Sequence, residues 1–310
     1  MRRRQVLGAA AAAATAPIRS WGAGVVRLMV AYPPGGVSDQ VARMLAERLG
    51  PELGTTVIVE NRPGAGGGVA LAQLAVARAD GRTLAFSAIS PLALSPHFGT
   101  PLPRVAPVSG VMHTPLLLVG TPALAASGFA DMVRLARGNA PLRWATSGVG
   151  TIGHLALEHM RSRHHLALVH IPYSGGAPQL QDALAGRFEL LSTNLAPLQI
   201  EYVRAGRLTP LALGAPQRSA LLPQVPTFAE VASPAAHLTS LFGVFAPEGT
   251  PAETVALLNA ACARVLVQPG FQRLLADAGN LPATGSAHAF AREIERQSAA
   301  NAKLVETLQR

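Results

Sequence analysis

Three strand-to-helix loops carry the residue types that hold an anion without a basic side chain: Pro33 to Asp39, Ser147 to Gly150 and Pro172 to Gly176. Each joins small residues, which let a ligand approach the backbone, to a helix start whose N–H groups lack intrahelical acceptors and carry partial positive charge. Two such loops facing one another would clamp the two ends of a dicarboxylate; the same glycines would equally serve as plain tight connections. Asp39 falls in the first turn of its helix, where a carboxylate either stabilises the helix start and fixes its loop or receives a ligand ammonium. His154, beside Thr151, either donates to a ligand or packs locally.

Other chemistries fit less well. Gly148, Gly150 and Gly153 have dinucleotide-loop spacing between a strand and a helix. The acidic residue that should end the next strand and hold a ribose is replaced by Ile171, Pro172 and Tyr173. Gly64 to Gly68 lacks the Lys and Ser/Thr of a phosphate loop and reads as a close helix-to-strand approach. His154, His159, His164, His165 and His170 cluster in sequence, but the first two are five apart, off the spacing that puts two ligands on one helix face. No nucleophile elbow occurs and the acids mostly fall on helix faces, so neither a metal, a cofactor nor a catalytic set is expected. Cys262, the single cysteine, excludes an internal disulfide and sits in an apolar helical pattern as a buried thiol.

These loops must be positioned by alternating strands and helices. Val26 to Tyr32, Thr56 to Glu60 and Thr83 to Ser87 read as strands, with helices from Ser38, which can cap, and from Val69 to Arg78 between them. The pattern restarts at Pro115 to Val119. It continues through strands Leu142 to Thr146, Leu166 to Ile171, Phe188 to Ser192 and Leu208 to Leu213, with helices Phe129 to Arg137, Ile152 to Arg163, Gln179 to Ala185 and Pro197 to Ala205. Alternation at this spacing implies parallel pairing, with the loops at the strand ends gathered into one crevice. After strand Leu241 to Ala246 come helices Thr250 to Val267, Gly270 to Asp277 and Ala287 to Leu308 without strands of their own. They should pack on the first unit's sheet, so that the chain crosses between units twice.

With 310 residues, 49% of them hydrophobic and 14% charged, the chain can bury a substantial core, and two α/β lobes are expected. The net charge of +9 owes four residues to Arg2, Arg3, Arg4 and Arg19; without them 22 basic residues face 17 acidic ones. No basic stripe with interleaved aromatics appears, so no nucleic-acid partner is expected. The three leading arginines precede an apolar run, Val6 to Ala14, too short to span a bilayer, which reads as an export signal cleaved between Ala16 and Gly24. Twin-arginine and ordinary secretory export both remain open. The destination is the periplasm.

Seven segments carry a family resemblance: Tyr32 to Arg43 (YPPGGVSDQVAR), Val59 to Gly67 (VENRPGAGG), Asp80 to Leu84 (DGRTL), Ser147 to Thr151 with His154 to Ala156, Pro172 to Ala177 (PYSGGA), Leu222 to Thr227 (LPQVPT) and Ala246 to Pro251 (APEGTP). In that order they resemble the Bug family, the extracytoplasmic solute receptors of tripartite tricarboxylate transporters, over essentially the whole mature chain. The resemblance implies a periplasmic-binding-protein-like Venus flytrap: two α/β lobes joined by two crossing segments, with residues 1–24 as export signal, 25–118 plus 243–310 as lobe 1 and 119–242 as lobe 2. It implies a small carboxylate as ligand (a di- or tricarboxylate, amino acid or aromatic acid), membrane transporter subunits as partners and a monomer. The ligand residues it implies are Tyr32, Pro34, Gly35, Gly36, Ser38, Asp39 and Ser90 on one side of the cleft, and Ser147, Gly150, Thr151, His154, Tyr173, Ser174, Gly175 and Asn194 on the other. Leu241 and Phe242 stand where members carry an aromatic pair, Thr193 where they carry an acid, and Ser174 where they often carry Lys. A two-component ligand sensor, or a hydrolase or transferase on a similar scaffold, is the alternative.

Overall fold

The computed structural model describes residues 24–138, 140–231 and 238–309. The export signal expected over 1–24 and the polar segment around Ser233 therefore lie outside the described residues, Gly24 excepted.

In chain order the elements are β1 (Val25–Val30), α1 (Val37–Leu53), β2 (Thr56–Asn61), α2 (Gly68–Ala75), β3 (Thr83–Ala88), α3 (Ser90–Ala93) and β4 (Val105–Gly120). A second run follows: α4 (Phe129–Ala136), β5 (Leu142–Thr146), α5 (Ile152–His164), β6 (Leu168–Pro172), α6 (Gly176–Leu184), β7 (Leu190–Asn194), α7 (Pro197–Arg204) and β8 (Thr209–Gly214). The chain closes with α8 (Phe228–Val231), β9 (Thr239–Pro247), α9 (Ala252–Leu266), α10 (Pro269–Asp277), β10 (Leu281–Pro282) and α11 (Ala287–Gln309).

The strands follow the order β2-β1-β3-β9-β4-β7-β5-β6, with β8 and β10 also paired to β4. Two parallel sets, β2-β1-β3 and β7-β5-β6, arise from helical crossovers as expected. Strand β4 joins them. Its Val105–Pro115 portion pairs with β9, and from Leu116 to Gly120 it pairs with β7 and β8. The two halves of the sheet are thus continuous through one strand.

Three expectations need correction. Strand β4 is 16 residues long where only Pro115 to Val119 was expected, because Pro107, Gly110 and Pro115 punctuate it and read as breakers. The ladder with β9 absorbs them by slipping register between Pro107 and Ser109 and again between Gly110 and Met112. Pairing is not parallel throughout: β4 runs against β7, β8, β9 and β10, and β9 runs against β3. The closing segment does contribute a strand, since Leu281 and Pro282 pair with His113 and Met112.

Burial follows the patterns. Helix α1 turns Val41, Leu45 and Leu49 inward onto β1 and β3, and all six residues of β3 are buried because helices cover both of its faces. A separate cluster around Trp144, Met132, Leu155 and Met160 fills one face of the second half, and Leu180, Phe188, Ile200 and Val203 fill the other. Helix α11 departs from the expectation that it packs on the first half alone. Its Phe290 and Ile294 join Phe245 and Leu71, whereas Val305 near its end joins Leu155 and Met160 of the second half. Among the described residues no single helix is long and apolar enough to cross a membrane.

Candidate ligand site

A cavity of about 620 Å3 lies between the two halves of the sheet. The first turns of four helices border it: Gly36, Val37 and Ser38 of the α1 start, Thr151, Ile152 and Gly153 at α5, Gly176 and Ala177 at α6, and Pro197 and Leu198 at α7. This convergence follows from the topology, because α1 follows β1 in one half while α5, α6 and α7 follow the parallel strands β5, β6 and β7 in the other. Each first turn exposes N–H groups without intrahelical acceptors and the positive end of its dipole. Among the described residues no Lys or Arg lines the cavity, so the backbone supplies whatever positive potential the site has.

Nine of the residues singled out from sequence line this space: Tyr32, Pro34, Gly35, Gly36, Ser38, Ser90, Ser147, Thr151 and Asn194. Helix α1 begins at Val37 with Gly36 as its N-cap, so Ser38 sits inside the first turn and is not the cap expected. Thr151 is the N-cap of α5; its hydroxyl accepts from the His154 amide and donates to the Gly148 carbonyl, 2.7 Å away. The Tyr32 hydroxyl accepts from the Ala88 amide and donates to the Gly66 carbonyl. Burial pushes its pKa up to about 12, against the opposing Ala88 and Ser87 hydrogen bonds, so it stays a neutral phenol.

The other six are not in the lining, for identifiable reasons. Asp39 is turned back into its own loop, accepting from the Gly35 amide (3.0 Å), Arg43 Nε (2.9 Å) and Asn61 Nδ2 (2.8 Å). Burial would raise its pKa, but these hydrogen bonds and the Arg43 charge outweigh it and hold the carboxyl below its ordinary range. Its bond to Gly35 fixes a backbone at φ +87°, immediately before the helix start. His154 lies behind its loop: Nδ1 accepts from the Gly150 amide at 3.2 Å, and the ring stacks on His170 and meets Phe98 at a tilt. Tyr173 donates to Asp182 at 2.7 Å and packs on Phe188 within its own half. Ser174 points to solvent.

Gly150 and Gly175 lie at the rim, where the halves touch. The Gly150 carbonyl accepts from Ser95 Oγ at 2.9 Å, and a Cβ at Gly175 would stand 2.3 Å from Pro33 Cδ. The Gly-rich segment after β2 makes a third contact, since a Cβ at Gly66 would meet Thr151 Cγ2 at 2.8 Å. Its glycines therefore admit a neighbouring loop. Gly153, the last of the dinucleotide-like glycines, serves packing, because a Cβ there would lie 2.4 Å from Ser192 Oγ.

Sequence reading missed the far wall. Gln179, Gln181, Leu180, Leu184, Ser192, Gln199, Glu201 and Tyr202 also line the cavity, from α6, α7 and the end of β7, beside Thr193, which the family resemblance had marked as standing where members carry an acid. Nothing in their spacing separates them from an ordinary amphipathic face.

Two predictions test the supports of the loops. Asp39→Asn should lower unfolding free energy by on the order of 2 kcal/mol in urea titration, since it weakens charge-assisted bonds to a buried group. The second concerns His170, 2.7 Å from Thr146 Oγ1. Burial chiefly, then the charges of His154 and Arg161, bring its pKa down to about 4, while Glu158 pulls the other way. Its unfolded value is about 6.5, so the unfolded chain binds more protons between these limits. The stability it contributes is complete above about pH 6.5 and is lost as pH falls toward 4. Chemical unfolding across this window should show a loss on the order of 2 kcal/mol, after discounting for partial exposure, that His170→Gln flattens.

A two-lobed α/β scaffold with a cavity between its halves, bordered by helix starts, is the architecture of an extracytoplasmic solute-binding receptor. Residues 41–309 match the model of the tripartite tricarboxylate transporter family receptor, and the chain belongs to that family. Protein BugT of Bordetella pertussis is 35% identical over 76% of this chain and 74% of its own. A UPF0065 protein from the tcbD-tcbE intergenic region of Pseudomonas sp. strain P51 is 32% identical over 95% of this chain and 92% of its own. Among solved structures, R. palustris Rpa4515 with adipate superposes with a TM-score of 0.85 at 31% identity, covering 94% of this chain and 99% of that one.

Proposed function

We propose that this protein is a periplasmic receptor that captures a small carboxylate between its lobes and presents the closed, loaded form to the membrane subunits of a tripartite tricarboxylate-type transporter. The observation that carries the reading is the cavity flanked by helix starts from both halves of the sheet and, among the described residues, free of lining Lys or Arg. Such a site binds an anion by backbone N–H groups, and the ligand bridges elements that are otherwise joined through strands β4 and β9. The division into lobes 25–118 with 243–310 and 119–242 puts both crossings on these strands. The same ligand bound by both lobes stabilises closure by its differential affinity for the closed state.

On this reading Tyr32, Gly36, Ser38 and Ser90 meet the carboxylate from one lobe, and Ser147, Thr151 and Asn194 from the other. Asp39, Gly150 and His154 act as supports for the loops. The adipate in Rpa4515 supports a linear acid as one class to try, along with tricarboxylates, amino acids and aromatic acids. On this reading the bound acid is recovered unchanged.

The test is a thermal-shift and calorimetry panel of these acids on the protein lacking its export signal. One class should raise Tm in a concentration-dependent way and give a single-site isotherm. Chemical conversion of the bound acid would overturn the reading in favour of an enzyme. Capture of a sensor kinase in place of transporter subunits would assign the same receptor to signalling.

A further inference from the structure

We propose that the groove between α6 and α7 is a tail subsite, which makes the ligand a monocarboxylate with an apolar body and a hydrogen-bond-donating far end, and disfavours a dicarboxylate. The inference rests on the receptor reading above and narrows its ligand class.

The cavity does not stop at the helix starts. It is lined along α6 from Gly176 to Leu184, nine residues whose eight steps span about 12 Å along the helix axis, and along α7 from Pro197 to Tyr202. Both helices line the one cavity, and their Leu180, Ala183, Ile200 and Val203 belong to one apolar cluster on the same face of the sheet. A three- or four-carbon acid held at the first turns would leave this groove unfilled, and 620 Å3 is ample for a longer or ring-bearing molecule.

The walls define the occupant's chemistry. Leu180, Leu184, Leu198 and Tyr202 give the groove an apolar surface, and Leu198 is 43% exposed at its mouth. The polar capacity left over is accepting. Gln179, fully buried, donates its Nε2 to the Ser192 carbonyl at 3.1 Å, and Gln199, 8% exposed, donates to Thr193 Oγ1. Both amides are thus engaged with the end of β7 within the first turns of their helices, and their Oε1 atoms are buried away from the groove. Among the described lining residues Glu201 is the one acid, and no Lys or Arg accompanies it. A second carboxylate in this groove would meet the acid Glu201, with no Lys or Arg among the described lining residues to offset it. An amide, ammonium or hydroxyl at that end would find the Glu201 carboxylate as an acceptor instead.

A matched set of probes decides the matter: octanoate, octanedioate, its monoamide and butanoate, titrated calorimetrically or by competition into the protein lacking its export signal. The monoamide should bind at least as tightly as octanoate, and octanedioate at least tenfold more weakly than either. Glu201→Lys should recover octanedioate by about tenfold. Leu184→Trp, which fills the groove, should weaken octanoate at least tenfold while leaving butanoate within about twofold. Octanedioate binding as tightly as the monoamide would overturn the assignment and leave the receptor reading standing. So would Leu184→Trp weakening octanoate and butanoate alike. Failure of every carboxylate to bind would overturn both.

Discussion

Gly36→Leu should weaken carboxylate binding severely while leaving the fold intact. Gly36 is the N-cap of α1 at φ −78°, ψ 168°, an extended conformation open to any L-residue, and a Cβ there would meet nothing within 4 Å. The larger side chain therefore costs little in the empty protein, within about 1 kcal/mol of cap preference. It projects into the cavity that Gly36 lines, in front of the amides of Val37 and Ser38. An anion kept from those amides loses charge-assisted hydrogen bonds and the helix dipole together. We expect a fall in affinity of roughly 100-fold, about 2.7 kcal/mol, with Tm of the unliganded protein within a few degrees of the parent. A calorimetric titration beside an unliganded melting curve checks both. Binding within a few-fold of the parent would remove α1 from the site.

How much of this was readable in advance depended on whether the signal was local. The Pro33 to Asp39 and Ser147 to Gly150 loops stood out because a strand followed by small residues and a capped helix start is written in consecutive positions. Five of the nine lining residues, Pro34, Gly35, Gly36, Ser38 and Ser147, lie on those loops, and Tyr32, Ser90, Thr151 and Asn194 came through the family resemblance. The far wall was not readable. Leu184 and Tyr202 come from helix interiors, where periodicity tells which face is turned inward but not which element it meets. That α6 and α7 flank a common groove depends on β7 lying between β4 and β5 in the sheet, a tertiary choice. His154 shows the same limit at one residue. Its first-turn position was right for a ligand donor, yet Phe98 and His170 take its ring faces and Gly150 takes its Nδ1. Strand β4 was half visible, since its prolines and glycines carry the sequence signature of a loop, and only the ladders on both sides hold them in a strand.

The second large effect is expected at Gly150, by a different route. Gly150 is outside the cavity lining, so a side chain there does not block the ligand. Its φ is +69°, a region that costs β-branched residues about 1–2 kcal/mol or more. A Cβ there would stand 2.6 Å from Ser95 Cα and Oγ, closer than such atoms pack, and Ser95 follows β3 in the opposite half of the sheet. Valine at this position thus wedges the rim apart at the contact where Ser95 Oγ donates to the Gly150 carbonyl. Gly150→Val should bind its carboxylate at least tenfold more weakly, because part of the binding free energy goes into forcing closure. Unlike Gly36→Leu, it should also enlarge the radius of gyration of the liganded protein in small-angle scattering. Ser95→Gly removes two of the three atoms in the way, so Gly150→Ala should be less damaging in that background than in the parent, by a coupling of about 1 kcal/mol. Strict additivity of the two substitutions, with scattering unchanged, would show that the rim contact does not govern closure.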